Sequence, residues 1–232
     1  MKDSSIIKNV QDLVLKKKIV SISGESGTGK TTLALQLATS LLLDNLPYHH
    51  QCLWVQASEQ FPKKRLETMF HGKNDELQYL HSNIFLIPET IIKTYQEQFY
   101  LLIHFEQKNL PPDLKVMVID NISHHLRFEI AQTNEINKIS VIKNAFYDEL
   151  LFPLIMYCQR ENIVLLLLHE VSSDVESGTT KPFFSSLYNR ITGGSIFLNR
   201  HLINRELIMK FSNSKVDKQM KYKISNEGLV IP

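Results

Sequence analysis

One short run near the N-terminus constrains the fold of this chain more than any other feature. The residues Gly24-Glu-Ser-Gly-Thr-Gly-Lys-Thr31 fit the spacing G-x-x-x-x-G-K-[ST]. The chain has only 8 glycines in 232 residues, and three of them fall within this run. A mostly apolar stretch at 18–22 precedes it, and an apolar helical pattern follows it. This context predicts a strand, a phosphate-binding loop and a helix, which together begin an α/β fold.

Four further segments that are apolar or mostly apolar have the length of buried strands. They lie at 52–55, 84–87, 115–120 and 163–168, and they alternate with helical patterns at 63–70, about 93–107 and about 139–160. Pro153 is expected to kink or split the last helix. Strands that alternate with helices predict a parallel sheet with right-handed crossovers.

The pattern changes after residue 190, where apolar and polar residues alternate. Leu207, Met209 and Phe211 are two residues apart, with Ile208 and Lys210 between them. Met220, Tyr222 and Ile224 have the same spacing, with Lys221 and Lys223 between them. This period of two predicts antiparallel strands. We therefore expect a single α/β domain over 1–232, with a core at about 18–190 and an antiparallel extension at about 191–231.

Composition excludes several classes of protein. Hydrophobic residues make up 43% of the chain and charged residues 22%, which is typical of a globular protein and not of a disordered one. The longest purely apolar run, 163–168, is far shorter than the ~20 residues of a membrane helix. With no signal-peptide pattern at the N-terminus, we expect a cytoplasmic protein with no membrane contact. Cys52 and Cys158 are expected to be buried free thiols.

The glycine-rich run predicts a nucleotide site that contains Mg²⁺. Its glycines allow backbone N–H groups to form an anion nest, and Lys30 can reach the β- and γ-phosphates. The hydroxyl of Thr31 can ligate Mg²⁺. Asp120 ends a buried strand, where a carboxylate can hold Mg²⁺ through water; the alternative is an aspartate that caps the next loop. The predicted nucleotide-binding residues of the run are Gly24, Glu25, Ser26, Gly27, Thr28, Gly29, Lys30, Thr31 and Thr32.

Glu59 follows the strand predicted at 52–55. Because chemistry in α/β sheets lies beyond the carboxyl ends of strands, Glu59 can orient a water molecule for hydrolysis. A surface glutamate with no such role explains the same position equally well.

Four segments resemble RecA-superfamily recombinases. Residues 54–65, Trp-Val-Gln-Ala-Ser-Glu-Gln-Phe-Pro-Lys-Lys-Arg, resemble the block Y-I-D-T-E-G-x-F-x-P-x-R, and residues 118–127 resemble V-V-I-D-S-x-x-x-x-x-R. Residues 169–178 and 222–229 are similar to the segments N-Q-V-Y-T-D-I-D-S-G and F-R-I-T-D-K-G-I of the archaeal RadB family. The resemblance spans nearly the whole chain, from about 18 to 231.

The resemblance implies a RecA-like P-loop core that binds ATP with Mg²⁺ and has weak or absent hydrolysis. It implies Glu59 and Lys30 as catalytic residues, Arg65 as a residue that stacks on adenine, and Asp120 on the Mg²⁺ side. It also implies an accessory role in homologous recombination and DNA repair at the nucleoid. The implied partners are DNA, bound weakly as single-stranded or branched forms, recombinase or other repair proteins, and an oligomer with copies or relatives of the chain.

Several positions depart from the family pattern. The family's N-Q pair is His169-Glu170 here, and an ionised glutamate would repel a γ-phosphate. The aspartate of I-D-T-E is Gln56, and residues 10–18 replace the usual glycine-rich turn. The two segments that would be DNA loops, 130–137 and 172–189, contain only one basic residue, Lys181. These departures predict the loss of autonomous strand exchange.

A basic segment near the C-terminus is the predicted DNA contact. Residues 200–223 contain seven lysines and arginines against two acidic residues. We expect Lys221 and Lys223, together with Arg127, to contact the phosphate backbone. Lysines that protect a solvated edge strand explain the same pattern.

Two further functions remain open on the sequence alone. One is a scaffold that binds nucleotide without catalysis and acts through protein partners, which His169-Glu170 and the acidic loops favour. The other is a P-loop kinase or NTPase unrelated to DNA, against which the Glu59 segment argues.

Overall fold

The computed structural model of the chain describes residues 4–44, 50–105, 110–173, 180–183, 193–200, 207–213 and 216–230. The helices in these ranges are α1 (Ser4–Lys17), α2 (Lys30–Leu43), α3 (Lys63–Met69), α4 (Asn74–Asn83), α5 (Tyr95–Ile103), α6 (His124–Ala131), α7 (Ile136–Ala145) and α8 (Phe152–Arg160), with a π-helical segment at Phe146–Leu151. The strands are β1 (Ile19–Gly24), β2 (Gln51–Gln56), β3 (Ile84–Ile87), β4 (Leu114–Asp120), β5 (Val164–His169), β6 (Val171–Ser173), β7 (Thr180–Pro182), β8 (Gly194–Arg200), β9 (Leu207–Asn213), β10 (Val216–Ser225) and β11 (Gly228–Val230).

Nine of these strands form one sheet, in the order β11-β10-β9-β8-β1-β5-β4-β2-β3. The strands from β8 to β3 in this order are parallel, and β9, β10 and β11 are antiparallel to their neighbours. Strands β6 and β7 form a separate antiparallel pair. The predicted α/β architecture, a mostly parallel sheet with helices on both faces and a C-terminal antiparallel segment, is confirmed and is consistent with a RecA-like core.

The two faces of the sheet each bury an apolar cluster, because the central strands are apolar at successive positions. Trp54, Val118 and Leu166 point to the face covered by α1, α2, α3 and α4. Met117 and Leu165 point to the opposite face, which is covered by α5, α6, the π-helical segment and α8. This packing holds the carboxyl ends of β1, β2, β4 and β5 at one edge of the sheet, where ligands of α/β folds usually bind.

The structure differs from the sequence predictions in its helices. Helices α1, α4 and α6 were not predicted, and the segment expected as a first DNA loop, 130–137, contains the end of α6 and the beginning of α7. The expected kink at Pro153 takes the form of a π-helical segment that ends just before α8, in whose first turn the proline lies. The wider π turn accommodates a residue that has no N–H to donate and whose ring crowds the preceding turn.

Cys52 and Cys158 are free and buried, as predicted, and burial raises the pKa of both thiols. In the parts of the chain that the structure describes, no helix is long and apolar enough to cross a bilayer. Most of the predicted second DNA loop, 172–189, lies outside the described residues.

Candidate nucleotide-binding site

The glycine-rich run forms a loop between β1 and α2. Gly27 and Gly29 have φ values of 74° and 92°, in the left-handed region that favours glycine. The hydroxyl of Thr28, which is fully buried, donates a hydrogen bond of 2.8 Å to the carbonyl oxygen of Glu25 and closes the turn. The loop thus delivers the chain to Lys30, where α2 begins with its positive dipole end towards the cleft.

Lys30 folds back over this loop. Its Nζ donates hydrogen bonds to the carbonyl oxygens of Gly24, at 2.8 Å, and Glu25, at 3.0 Å. Burial lowers the pKa of Lys30, and the negative charges of Asp120, Glu170 and other nearby carboxylates oppose this effect. The ammonium group therefore stands at the mouth of the loop, where the oxygens of a phosphate can replace the two carbonyl acceptors.

Asp120 and Thr31 meet across this mouth. The Thr31 hydroxyl donates a hydrogen bond of 2.9 Å to Oδ2 of Asp120, which is only 2% exposed at the end of β4. Burial, opposed by the Thr31 hydrogen bond and by the charge of Lys30 and reinforced by the charge of Glu59, raises the pKa of Asp120 to about 6. A carboxylate beside a hydroxyl fits a hard divalent cation such as Mg²⁺, since both groups offer oxygen ligands.

The loop that carries Glu59 is hydrogen-bonded to the end of β4. The backbone N–H groups of Ala57 and Ser58 both donate to the carbonyl oxygen of Asp120, at 2.9 and 3.1 Å. The ring of His125, on α6, donates a hydrogen bond of 2.7 Å from Nε2 to the carbonyl oxygen of Ala57. Glu59 itself is exposed and lines the cleft opposite the glycine-rich loop.

Gln56, which replaces the family's aspartate, has a structural role. Its side chain donates to the carbonyl oxygen of Pro88 at 2.8 Å and accepts from the backbone N–H of Phe61 at 2.8 Å. Phe61 in turn packs edge-on against the ring of Trp54, with ring centroids 5.2 Å apart. Gln56 therefore shapes the chain on both sides of Glu59 and does not face a reactant.

Together these elements enclose a cleft of about 570 Å³. Its lining includes all the predicted residues of the glycine-rich loop except Thr28, and it brings Glu59 and Asp120 to the same space. Arg65 does not line this cleft: its guanidinium donates to the carbonyl oxygen of Ser225. A larger groove of about 1270 Å³ lies between α2, α3 and the turn at 226–227, away from Lys30 and Asp120.

Glu170 enters the cleft just beyond β5, and two side chains of α6 hold its carboxylate. Nδ1 of His124 donates to Oε1 at 2.8 Å, and Nη1 of Arg127 donates to Oε2 at 3.0 Å. The backbone N–H of Glu170 donates to the Ser123 hydroxyl at 3.0 Å. Burial alone would raise the pKa of Glu170, but the hydrogen bonds and charges of His124 and Arg127 outweigh it and lower this pKa.

These contacts bear on two sequence predictions. Arg127, a predicted DNA contact, pairs with Glu170 and lies over the ring of Phe183, 5.6 Å from its centroid. Its role towards DNA stays a prediction. The predicted repulsion by Glu170 also needs a refinement, because its charge is partly balanced by partners 43 and 46 residues away.

The C-terminal strands pack directly on the glycine-rich loop, which the sequence did not indicate. The Tyr222 hydroxyl donates a hydrogen bond of 2.6 Å to the carbonyl oxygen of Thr28. A Cβ at Gly29 would lie 3.0 Å from Cδ1 of Ile224, so this strand closes the space beside the loop. Lys221 and Lys223 are exposed on the other face of β10, as the alternation predicted.

Gln36 ties β11 to the helix that follows the loop. Its Oε1 accepts from the backbone N–H of Leu229 at 2.8 Å, and its Nε2 donates to the carbonyl oxygen of Leu229 at 3.3 Å. The C-terminal strands β10 and β11 therefore support both the glycine-rich loop and α2.

Two comparisons with known proteins show what this chain is similar to. A family model described as "Novel STAND NTPase 3" matches residues 3–73, which contain the glycine-rich loop and Glu59. The chain is also 30% identical over 116 residues to the DNA repair protein RAD57 of Saccharomyces cerevisiae. That match covers 48% of the chain and 25% of the yeast protein, so the chain spans about a quarter of the length of this relative. These matches relate the chain to P-loop NTPases of the RecA-like kind.

Proposed function

We propose that this chain is an ATP-binding accessory protein of homologous recombination and DNA repair, with weak or absent ATP hydrolysis. The observation that carries the proposal is the contact of Thr31 with Asp120 beside Lys30, at the end of a loop with the P-loop spacing. The similarity to a yeast DNA repair protein supports the biological setting. The resemblance to the archaeal RadB family is the finer form of the same proposal.

The phosphates of the nucleotide belong at residues 24–32. The loop amides and the N-terminus of α2 bind the phosphate oxygens, and Lys30 neutralises charge on the β- and γ-phosphates. Thr31 would ligate Mg²⁺ directly, and Asp120 would hold it through water. When bound, Mg²⁺ supplies the positive charge that this carboxylate-rich cleft needs. Arg65, beside the turn at 226–227, remains the proposed contact to the base.

Hydrolysis, where it occurs, depends on Glu59. This carboxylate faces the cleft from the anchored loop after β2 and can orient the attacking water. Among the described residues, Glu59 receives no hydrogen bond that would fix its carboxylate. A base whose position is not fixed is a poor catalyst, because proton transfer needs a group within hydrogen-bonding reach of the water. This arrangement supports the proposed slow turnover.

DNA contacts are proposed at Lys221 and Lys223, which extend from β10 beside the nucleotide-binding loop. The strand that carries them also carries Tyr222, the donor to Thr28, and this couples the basic face to the nucleotide site. Arg127 is a conditional candidate, since it must leave Glu170 to contact a phosphate. Recombinase or other repair proteins, and copies or relatives of the chain itself, are the proposed protein partners.

Single-turnover hydrolysis of ATP tests this proposal. The protein is mixed in excess over ATP and Mg²⁺, with and without single-stranded DNA, and compared with the variants Glu59→Gln and Glu89→Gln. Glu89 is exposed and lies outside the cleft, so its variant controls for the change in charge. We expect slow hydrolysis that DNA accelerates and that only Glu59→Gln abolishes. Absence of ATP and ADP binding by the wild-type chain would refute the proposal.

A nucleotide-binding scaffold without catalysis is the second candidate. It is favoured by the contacts of Glu170, which place a third carboxylate beside Asp120 and Glu59 and occupy Arg127. Tight nucleotide binding with no turnover in the presence of DNA would select this function. Turnover that required a small-molecule acceptor would indicate a kinase instead and would contradict both proposals.

A further inference from the structure

The cleft that is proposed to bind a polyanion is itself rich in negative charge. Of the described residues that line it, four are carboxylates and two are cations. The carboxylates are Glu25, Glu59, Asp120 and Glu170, and the cations are Lys30 and Arg127. A nucleotide that enters this cleft therefore meets repulsion that depends on how many phosphates it carries.

The sheet register places Glu170 next to the start of the glycine-rich loop. Strand β5 pairs with β1 so that His169 lies opposite Ser23, and the next residue of each strand, Glu170 and Gly24, follows at the same level, where Gly24 is the last residue of β1. On its other side β5 pairs with β4, which ends at Asp120. Glu170 thus lies between the loop and the predicted Mg²⁺ carboxylate, and its charge acts on Lys30.

The carboxylate of Glu170 is held in this position. His124 and Arg127 each donate one hydrogen bond to a different carboxylate oxygen, and Ser123 fixes the backbone. The Glu170 side chain is 25% exposed and therefore faces the cleft without being free in solvent. A carboxylate anchored at both oxygens cannot easily rotate away from an approaching anion.

The third phosphate of a nucleotide has to approach this carboxylate. The loop amides would hold the α- and β-phosphates, and Thr31 and Asp120 would hold the cation that neutralises the charge of the terminal phosphates. The γ-phosphate accordingly points from the loop towards the ends of β4 and β5, where Glu170 lies. A diphosphate ends before this point.

We infer that Glu170 makes this cleft select a nucleoside diphosphate over the corresponding triphosphate. The inference rests on the proposed nucleotide binding and names its specificity determinant. Arg127 can offset the repulsion between Glu170 and the γ-phosphate only by leaving Glu170, and the carboxylate would then lose the cation that balances it. Whether Arg127 stays paired with Glu170 or leaves it, the affinity for the triphosphate is reduced and the affinity for the diphosphate is nearly unchanged.

Isothermal titration of the full chain with ADP and with a non-hydrolysable ATP analogue, both with Mg²⁺, tests this inference. We expect the wild-type chain to bind the diphosphate more tightly. Glu170→Gln should strengthen binding of the triphosphate about tenfold, the effect of one unit charge at partly screened range, and change binding of the diphosphate about twofold or less. Glu89→Gln, outside the cleft, should change neither affinity.

A second variant, Arg127→Gln, keeps the inference testable if Glu170→Gln does not fold. Arg127→Gln removes the cation that balances Glu170, so it should weaken the triphosphate more than the diphosphate. Equal effects of Glu170→Gln on both nucleotides, or a stronger affinity for the triphosphate in Arg127→Gln, would overturn the inference while leaving nucleotide binding intact. If the wild-type chain bound neither nucleotide, the proposed function would fail first and the inference with it.

Discussion

Removal of a single hydroxyl group, in Tyr222→Phe, tests whether the C-terminal strands support the nucleotide-binding loop. The Tyr222 side chain is 2% exposed, and its hydroxyl donates to the carbonyl oxygen of Thr28, a residue that is fully buried. Phenylalanine keeps the ring and its packing but leaves this carbonyl without the donor. A buried acceptor that loses its partner costs about 1–3 kcal/mol.

The expected destabilisation can be measured in two ways. For a chain of this size, about 1–3 kcal/mol corresponds to a fall in Tm of roughly 2–12 °C in a calorimetric scan without nucleotide. The affinity for ADP with Mg²⁺ should fall in parallel, because the loop that binds phosphate loses a contact that fixes its shape. Tyr100→Phe is the matched control, since Tyr100 is 64% exposed and its hydroxyl has no such role.

The two measurements also separate the competing explanations. A fall in Tm with an unchanged affinity for ADP would show that the hydrogen bond stabilises the fold but does not shape the loop. A Tyr222→Phe variant that matches Tyr100→Phe in both Tm and affinity would refute the reasoning altogether.

Three further predictions concern other parts of the site. Gly29→Ala should abolish nucleotide binding, measured by titration calorimetry, because φ is 92° and a Cβ would press on Ile224 of β10; retained binding would contradict the loop geometry. His169 is fully buried, and burial lowers its pKa to about 3, so between about pH 6.5 and 3 it binds a proton mainly in the unfolded chain. The free energy of unfolding should therefore fall by up to about 1.4 kcal/mol per pH unit between about pH 6 and 4, and a His169→Gln variant should lose this part of the pH dependence in denaturant titrations. Lys221→Glu combined with Lys223→Glu should weaken single-stranded DNA binding and reduce the slope of log affinity against log salt concentration. The same charge change at the end of α1, in Lys16→Glu combined with Lys17→Glu, should leave both quantities unchanged. An unchanged slope in the Lys221 and Lys223 variant would favour the solvated-edge interpretation.

The parts of the fold that the sequence predicted are those with strong local signals. The strand that ends at Asp120 contains the continuous apolar run 116–119, and the loop at 24–31 has a fixed spacing of residue types, so both were placed within one or two residues. Helix α6 gave no such signal, because it has no side-chain cap and only two buried residues, His125 and Leu126. His125 is buried only because its ring reaches the carbonyl oxygen of Ala57, 68 residues earlier.

Most of the predicted nucleotide-binding residues line the cleft, with Arg65 and Thr28 as exceptions, but the sequence did not predict the contacts that join distant residues of the site. The family resemblance predicted that an ionised Glu170 would repel a γ-phosphate, but the contacts of Glu170 with His124 and Arg127 depend on how α6 docks beside β5. The same holds for Tyr222 and Thr28, whose contact joins residues 194 positions apart. Pairings over such distances arise from the order of strands in the sheet, which no local pattern in this chain encodes.

The same long separation sets an order of events during synthesis on the ribosome. A nascent chain that has emerged through β5 already contains the glycine-rich loop, Glu59 and Asp120, but it lacks the two strands that brace the loop through Tyr222 and the contacts of Leu229 with Gln36. Full affinity for a nucleotide is therefore expected only after β10 and β11 have left the exit tunnel. Premature capture of nucleotide by a half-made chain is thereby disfavoured by the topology alone.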